Sequence, residues 1–318
     1  MRLAALVLLF LSGHVLGQAF PARTVTLVVP FTTGTGIDIL ARAIAPHLSE
    51  RWKQPVVVDN KPGASGNIGT DLVAKAAGDG HTLMVTVNTY TIAPALFKNL
   101  PYNPVTDLAP VSKIALATYC FVTNPNVFPA ATMQDAVALI KANPGKYYFA
   151  SPGNGTPHHV GMELIKLRLG LNVTHVPYKG FAGAIADLLG GQVQMMFTLF
   201  HSSLPYVRAG KLRALAVTGT QRNKNYPEAP TFREAGIDFM DDVDSWFAVM
   251  APGETPPELV ARLNADVNAV MSLPAVREPL EKQGLIPATS TPAELAALIK
   301  SDLARWAKVV NDAKITMD

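Results

Sequence analysis

Apolar and polar residues alternate along this chain with two different periods. Short apolar runs that are typical of buried strands are followed by stretches whose apolar residues recur at helical spacing. The predicted strands cover residues 24–29, 55–60, 81–87, 114–123, 146–151, 173–178, 193–198, 212–218 and 245–252. The predicted helices cover residues 36–52, 68–77, 132–142, 157–169 and 202–209, a segment ending at 189, and two or three stretches in the tail. This order predicts an α/β fold with doubly wound parallel sheets.

The alternation falls into two blocks, which predict two lobes. A segment with three prolines, residues 99–110, interrupts the first block. The strands predicted at 114–123 and 212–218 are expected to be the two crossover strands between the lobes. We therefore predict that residues 20–118 and 226–318 form domain 1 and that residues 119–225 form domain 2. Small ligands bind in clefts between such domains.

Several predicted helices begin with the sequence signature of an N-cap. In each, a Thr precedes the helix and is followed by Pro at the first helical position or by an acidic residue at the third. The four N-caps predicted in this way are Thr35 (with Asp38), Thr156 (with Pro157), Thr255 (with Glu258) and Thr291 (with Glu294). For Asp38 the pattern leaves two roles open, a structural cap or a residue of a ligand site.

Residues 1–19 have the pattern of a secretory signal peptide. Arg2 supplies a positive charge, residues 3–11 are apolar, and small residues precede the expected cleavage point. No Cys follows the apolar run, so we expect a protein exported to the periplasm without a lipid anchor. The single cysteine, Cys120, excludes an intramolecular disulfide, and its apolar strand predicts a buried and inert thiol.

The charge distribution gives little support to nucleic-acid binding. The formal net charge is only +3, and 16% of the residues are charged. The Lys and Arg residues form neither a run nor a stripe with interleaved aromatic residues, which is the pattern expected of a nucleic-acid-binding surface.

Two turns rich in Gly and Thr link a strand to a helix in a way that suits an anion. The first contains Thr32 to Gly36, and the second contains Ser151 to Thr156. Backbone N–H groups at a helix start point into the turn, and the helix dipole favours negative charge there. Residues 88–91 and 178–180 also follow predicted strands, so they should face the same crevice.

The sequence contains no motif that predicts catalysis, a metal or a cofactor. Residues 34–36 lack the third Gly of the dinucleotide fingerprint, and the Gly-Lys-Ser/Thr of a P-loop is absent. His158 and His159 are adjacent, so they point to different sides of a helix and lack metal-ligand spacing. Neither Ser151 nor Ser202 lies in a Gly-x-Ser-x-Gly motif.

Several motifs together resemble the periplasmic receptors of tripartite tricarboxylate transporters, of the TctC or Bug type. They are LVVPFTTGTGIDILAR, QPVVVDNKPGASGNIGTDLVAKAAGDGHTL, LPYNPVTDLAPV, FASPGNGTPHH, VPYKGFAGAIADLLGGQVQMMF, AGKLRALAVT and APTFREAGI, in this order. The resemblance implies a two-lobed type II periplasmic-binding-protein fold that closes on an organic anion. It also implies delivery of this anion to a tripartite tricarboxylate transporter (TTT) membrane permease or, in some systems, to a signalling partner. We expect a monomer without a cofactor.

The resemblance also implies a set of ligand-binding residues. The implied residues are Phe31, Thr32, Thr33, Gly36, Asp38, Asn88, Thr89, Ser151, Asn154, Gly155, Thr156, Lys179, Gly180 and Thr198. Two positions differ from the usual family pattern. Residues 32–35 have fewer Pro and Gly residues, and Thr198 replaces a frequent Asp, which argues against an amine-bearing ligand.

We therefore predict a binding protein for a di- or tricarboxylate or an aromatic acid. Two alternatives stay open at this point. One is an extracytoplasmic carboxylate sensor with a signalling partner, and the other is a periplasmic enzyme on a carboxylate substrate. The absence of a positioned general acid/base pair disfavours the enzyme.

Overall fold

The computed structural model describes residues 20–224, 226–241 and 243–316. The predicted signal peptide, residues 1–19, lies outside the described residues. The strands are β1 (Val25–Val29), β2 (Val56–Asn60), β3 (Thr82–Val87), β4 (Leu108–Ala117), β5 (Tyr119–Thr123), β6 (Tyr148–Ser151), β7 (Thr174–Pro177), β8 (Met195–Leu199), β9 (Arg213–Val217), β10 (Ser245–Pro252) and β11 (Ile286–Pro287). The helices are α1 (Gly36–Trp52), α2 (Asn67–Ala74), α3 (Thr89–Leu96), α4 (Met133–Ala142), α5 (Pro157–Leu169), α6 (Phe181–Leu189), α7 (Phe200–Arg208), α8 (Pro257–Met271), α9 (Pro274–Lys282) and α10 (Pro292–Asp312).

The strands form two sheets, which confirms the predicted two-lobed α/β architecture. Lobe 1 is built on a six-stranded sheet of order β11-β4-β10-β3-β1-β2, and lobe 2 on a five-stranded sheet of order β7-β6-β8-β5-β9. Both sheets are mixed rather than wholly parallel. In lobe 1, β10 runs antiparallel to β3 and β4, and in lobe 2, β5 runs antiparallel to β8 and β9. The chain enters β5 and β10 from the other lobe, so these strands run opposite to their neighbours.

The two lobes are joined near the predicted positions, with one difference. A single residue, Thr118, separates β4 in lobe 1 from β5 in lobe 2. The second crossing follows β9 instead of lying within it, because β9 pairs with β5 and the chain rejoins lobe 1 only at β10. Phe232 and Met240, between these two strands, belong to the same apolar cluster as Phe121 and Phe197 of lobe 2. The predicted domain boundaries themselves stay a prediction.

The last helix, α10, packs against both lobes. Leu295 and Ile299, in its first half, are buried in a cluster with strand residues of lobe 1, whereas Trp306 is buried in the cluster of lobe 2. Between them, Asp302 accepts a hydrogen bond of 2.6 Å from the Trp246 indole of β10. Helix α10 is therefore a third element that connects the lobes. No helix among the described residues has the length and apolarity needed to cross a membrane.

The structure confirms two of the four predicted side-chain N-caps. The Thr156 hydroxyl accepts from the His159 N–H, and Thr291 forms a complete capping box with Glu294. Thr35 occupies the N-cap position, but its hydroxyl donates to the Thr32 carbonyl instead. The prediction for Thr255 is wrong, because the helix begins one residue later and Pro256 takes the N-cap position. The Thr255 hydroxyl is buried without a hydrogen-bond partner.

Candidate functional site

A cleft of about 580 Å³ lies between the two lobes, and both contribute to its walls. It lies beyond the carboxyl ends of β1, β3, β6, β7 and β8, as expected for an open α/β sheet. Its polar lining residues are Thr32, Thr35, Ser65, Thr89, Tyr119, Asn154, Thr156, His158, His201, Ser202 and Ser245. Its apolar lining residues are Phe31, Ile37, Ile39, Val87, Pro152, Pro157, Phe181, Leu199 and Phe247, together with Gly34, Gly36, Gly153 and Gly180.

Five helices begin at this cleft. Each of the five strands named above is followed directly by a helix, and α1, α3, α5, α6 and α7 all have lining residues in or next to their first turn. The first N–H groups of a helix have no partner within the helix, and the dipole places partial positive charge at that end. Five such ends around one cleft create a positive potential without any cationic side chain. Such an arrangement favours a bound anion.

A buried carboxylate, Asp38, stabilises the lobe 1 turn of residues 32–36 that faces the cleft. Asp38 accepts hydrogen bonds from the Gly34 N–H (2.9 Å), from the Asn60 amide (3.0 Å) and from Arg42 (3.0 Å). Burial alone would raise the pKa of Asp38, but the hydrogen bonds from Arg42, Gly34 and Asn60 outweigh it and lower the pKa. Asp38 is only 2% exposed and does not line the cleft, so it stabilises the turn from inside the protein. The observed contacts of Asp38 are those of a support for the turn, and its role in ligand binding stays a prediction.

The lobe 2 turn is closed by its own hydroxyl groups. The Thr156 hydroxyl donates to the Gly153 carbonyl at 2.8 Å, and the Ser151 hydroxyl contacts the same carbonyl at 3.0 Å. Gly155 adopts a φ of 70°, a conformation that a residue with a Cβ adopts only at a cost. The positive φ of Gly155 turns the chain sharply into α5, which explains why a Gly follows Asn154 here.

Two neutral histidines line the cleft. Burial lowers the pKa of His158 and of His201 to about 4, so both are uncharged at neutral pH. The Nδ1 of His158 lies 3.2 Å from the Phe197 carbonyl oxygen, which can only accept a hydrogen bond. The proton of neutral His158 is therefore on Nδ1, and its Nε2 is a hydrogen-bond acceptor.

The centre of the cleft holds a buried polar group at the crossing between the lobes. Tyr119, the first residue of β5, has the side chains of Ser245 and Asn88 as polar neighbours. Burial raises the pKa of Tyr119 well above its usual value, so it keeps its proton. The Ser245 hydroxyl also donates to Asn88 Oδ1 at 3.3 Å. Tyr119 and Ser245 line the cleft where the lobes meet, and Asn88 supports Ser245 from outside the lining.

Among the described residues that line the cleft, none is Asp, Glu, Lys or Arg. Phe31 and Phe247 from lobe 1 and Phe181 and Leu199 from lobe 2 give it apolar walls. The described part of the chain also contains no group of His, Cys, Asp and Glu residues that could hold a metal ion. The cleft thus offers a ligand backbone N–H groups, hydroxyls, the Asn154 amide, two neutral imidazoles and apolar side chains.

The structure brings part of the predicted set together in the cleft and places the rest outside its lining. The predicted residues that line the cleft are Phe31, Thr32, Gly36, Thr89, Asn154, Thr156 and Gly180. The predicted residues outside its lining are Thr33, Asp38, Asn88, Ser151, Gly155, Lys179 and Thr198. Thr198 is fully buried in β8, whereas Lys179 is exposed. Residues 88–91, which were expected to face the crevice after a strand, are the N-cap and the first residues of α3.

Sequence reasoning missed several lining residues. Tyr119, Ser245 and Phe247 lie on the strands that enter from the other lobe, and no local motif marks them. His158 and His201 lie in the first turns of α5 and α7. Each of these helices follows a strand, and this strand-to-helix pattern could have identified both histidines as residues near the cleft. Cys120, by contrast, behaves as predicted. It is buried, and burial raises the pKa of its thiol to about 12.

Comparison with known sequences gives one family and several similar proteins. The family model described as "Tripartite tricarboxylate transporter family receptor" matches residues 40–315. The protein BugT of Bordetella pertussis is 36% identical over 319 residues, which cover 98% of this chain and 97% of BugT.

Solved structures with bound carboxylates resemble the whole described fold. R. palustris Rpa4515, solved with adipate, has a TM-score of 0.83 and 34% identity, and the match covers 93% of this chain and 99% of that protein. MatC from Rhodopseudomonas palustris, solved with bound malate, has a TM-score of 0.79 and 32% identity, and the match covers 92% of this chain and all of MatC.

Proposed function

The chain belongs to the tripartite tricarboxylate transporter receptor family, and on that premise we propose that it captures an organic carboxylate between its lobes. We further propose that it delivers this carboxylate to a TTT membrane permease. The family consists of solute-binding receptors of transporters, not enzymes, which agrees with the prediction of a non-catalytic protein. Adipate and malate, bound by two similar proteins, define the chemical class to test.

One observation carries this proposal: five helix starts surround a cleft whose described lining residues include no ionised side chain. A carboxylate placed there meets N–H donors and hydroxyls and no competing carboxylate. Hydrogen bonds to a charged acceptor contribute about 1.5–3 kcal/mol each, so a few of them suffice to hold a carboxylate. An amine-bearing ligand would lack a counter-charge, which disfavours amino acids.

The apolar walls narrow the proposed ligand class. Phe31 and Phe247 on one side and Phe181 and Leu199 on the other suit a ligand with an apolar chain or ring between its polar ends. A tricarboxylate has little apolar surface to bury against them. We therefore favour aliphatic dicarboxylates and aromatic acids over tricarboxylates.

We also propose the cellular setting that the sequence predicts. Residues 1–19 would be removed on export, which would leave a monomer in the periplasm without a lipid anchor. The solved similar proteins are described as periplasmic, which supports this setting. Mass spectrometry of the exported protein tests it, because an intact Met1 terminus would contradict removal of the leader.

The binding function is tested by a thermal-shift screen followed by calorimetry with adipate, malate, citrate and benzoate, with aspartate as the amine-bearing control. A carboxylate at about 100 times its dissociation constant should stabilise the fold by about 2.7 kcal/mol. If no carboxylate binds, the proposal is wrong. Uptake by membranes that contain the permease then separates delivery from sensing, since a sensor would bind the same carboxylate without supporting uptake.

A further inference from the structure

The lobe 2 turn rests on a pair of stacked histidines that do not line the cleft. The rings of His159 in α5 and His175 in β7 are 3.8 Å apart between centroids and only 10° from parallel. The Phe149 ring stacks on His175 at 4.7 Å. Neither histidine lines the cleft, whereas Gly153, Asn154 and Thr156 of the turn do.

Each histidine holds a different residue of this turn. The Gly155 N–H donates to His159 Nδ1 at 3.1 Å. The Ser151 hydroxyl lies 2.7 Å from His175 Nε2, and it accepts a hydrogen bond of 3.2 Å from the Gly153 N–H. Two separate points of the turn are thus attached to one rigid aromatic stack.

These contacts require a specific form of His159. A nitrogen that accepts from a backbone N–H carries no proton, so neutral His159 has its proton on Nε2. That nitrogen lies 3.8 Å from the Glu163 carboxylate, which in turn pairs with Lys166 at 2.6 Å. The groups that face the histidine pair are therefore one carboxylate, one ammonium group and the Ser151 hydroxyl.

The surroundings keep both rings neutral. Burial lowers the pKa of His159 to about 4, and the positive charge of Lys166 acts in the same direction. Burial, His159 and Lys166 lower the pKa of His175 to about 3. Two imidazolium rings stacked at this distance would repel each other, so the stack and the neutral state support one another.

We propose that His159 and His175 are positioning residues, which fix the 151–156 turn in the shape that places Asn154 and Thr156 in the wall of the cleft. The expected effect on ligand affinity rests on the proposed function, whereas the effect on the turn does not. His159 acts through Gly155, and His175 acts through Ser151. Neither needs to touch the ligand.

Matched substitutions separate hydrogen bonding from packing. In His159→Asn, Oδ1 follows Cγ as Nδ1 does in histidine, so the acceptor for Gly155 is kept. His159→Leu has the same branching without an acceptor, and both variants lose the stacked ring. With adipate as the probe in calorimetry, we expect His159→Leu to weaken binding about tenfold, as expected for an unsatisfied donor. We expect His159→Asn to stay within about threefold of the wild type, although both variants unfold at a lower temperature than the wild type.

Histidine-selective nitrogen NMR on the unliganded protein tests the positioning claim without any ligand. The expected spectrum shows His159 neutral at pH 5.5 with its proton on Nε2, and a Gly155 amide proton that exchanges slowly. A proton on Nδ1, or titration near the ordinary histidine pKa, overturns the inference. Equal adipate affinities of His159→Asn and His159→Leu also overturn it and leave the proposed function intact. Failure of the wild type to bind any carboxylate refutes the proposed function, and the NMR result still decides the inference.

Discussion

Replacing Asp38 with alanine should loosen the first ligand turn and destabilise the protein. Asp38 is buried and accepts hydrogen bonds from the Gly34 N–H, the Asn60 amide and Arg42. Arg42 is half exposed, so its ion pair contributes at most about 1 kcal/mol. The hydrogen bonds from Gly34 and Asn60 are partly buried, and losing their charged acceptor costs about 1 kcal/mol each. We therefore expect Asp38→Ala to lower the free energy of unfolding by about 2–3 kcal/mol.

Asp38→Asn is the matched control for this prediction. With its side-chain oxygen at the position of Oδ2 it can still accept from the Gly34 N–H and from Arg42, but its amide nitrogen cannot accept from Asn60, so we expect an intermediate loss of about 1 kcal/mol. Urea unfolding followed by tryptophan fluorescence measures the loss, because Trp52 ends the same helix. The reasoning is refuted if Asp38→Ala loses less than about 0.5 kcal/mol, or if both variants are equally destabilised. Adipate affinity should fall in the same order as stability.

Three further predictions concern the helix N-caps, an unpaired buried hydroxyl and the protonation of the two cleft histidines. Thr156→Ala removes a confirmed N-cap, so we expect a loss of about 1–2 kcal/mol in urea unfolding together with weaker carboxylate binding. Thr255→Val removes a buried hydroxyl that has no hydrogen-bond partner, so it should leave stability unchanged or raise it. Thr291→Val breaks a capping box and should lower the free energy of unfolding by about 1 kcal/mol in the same assay. Equal effects of the two variants would contradict both assignments. His158 and His201 are neutral in the fold but have an ordinary pKa near 6.5 when unfolded, so their contribution to stability is complete above pH 6.5 and is lost as pH falls towards about 4. Unfolding at pH 5 should therefore need less urea than at pH 7.5, and an unchanged midpoint would argue against buried neutral rings.

The order of strands and helices could be predicted from the sequence because it depends on local chemistry. The period of apolar residues differs between strands and helices, and this difference located β1, β3 and α5 to within a few residues. Thr156 before Pro157 marks a helix start through contacts within one turn of chain. Where the local signal is ambiguous the prediction failed, as at Thr255, where two consecutive prolines allow the helix to begin one residue later.

The direction and neighbours of the strands could not be predicted in the same way. Strand β10 lies between β4 and β3, although more than 120 residues separate it from both along the chain. Periodicity gives no information on which strand pairs with which, and a strand that returns from the other lobe has the same pattern as one that does not. Helix α10 shows one continuous apolar stripe, but its two ends pack against different lobes.

The sequence by itself determined the two turns that suit an anion, because a glycine-rich strand-to-helix junction orients its own N–H groups. Only the tertiary structure decided which side chains share the cleft with them. Tyr119, His201 and Phe247 come from three elements far apart in the chain, and they meet because the lobes fold against each other at Thr118. The tertiary structure also decided that Asp38, Ser151 and Gly155 lie outside the lining of the cleft, since burial is a property of packing and not of a local motif.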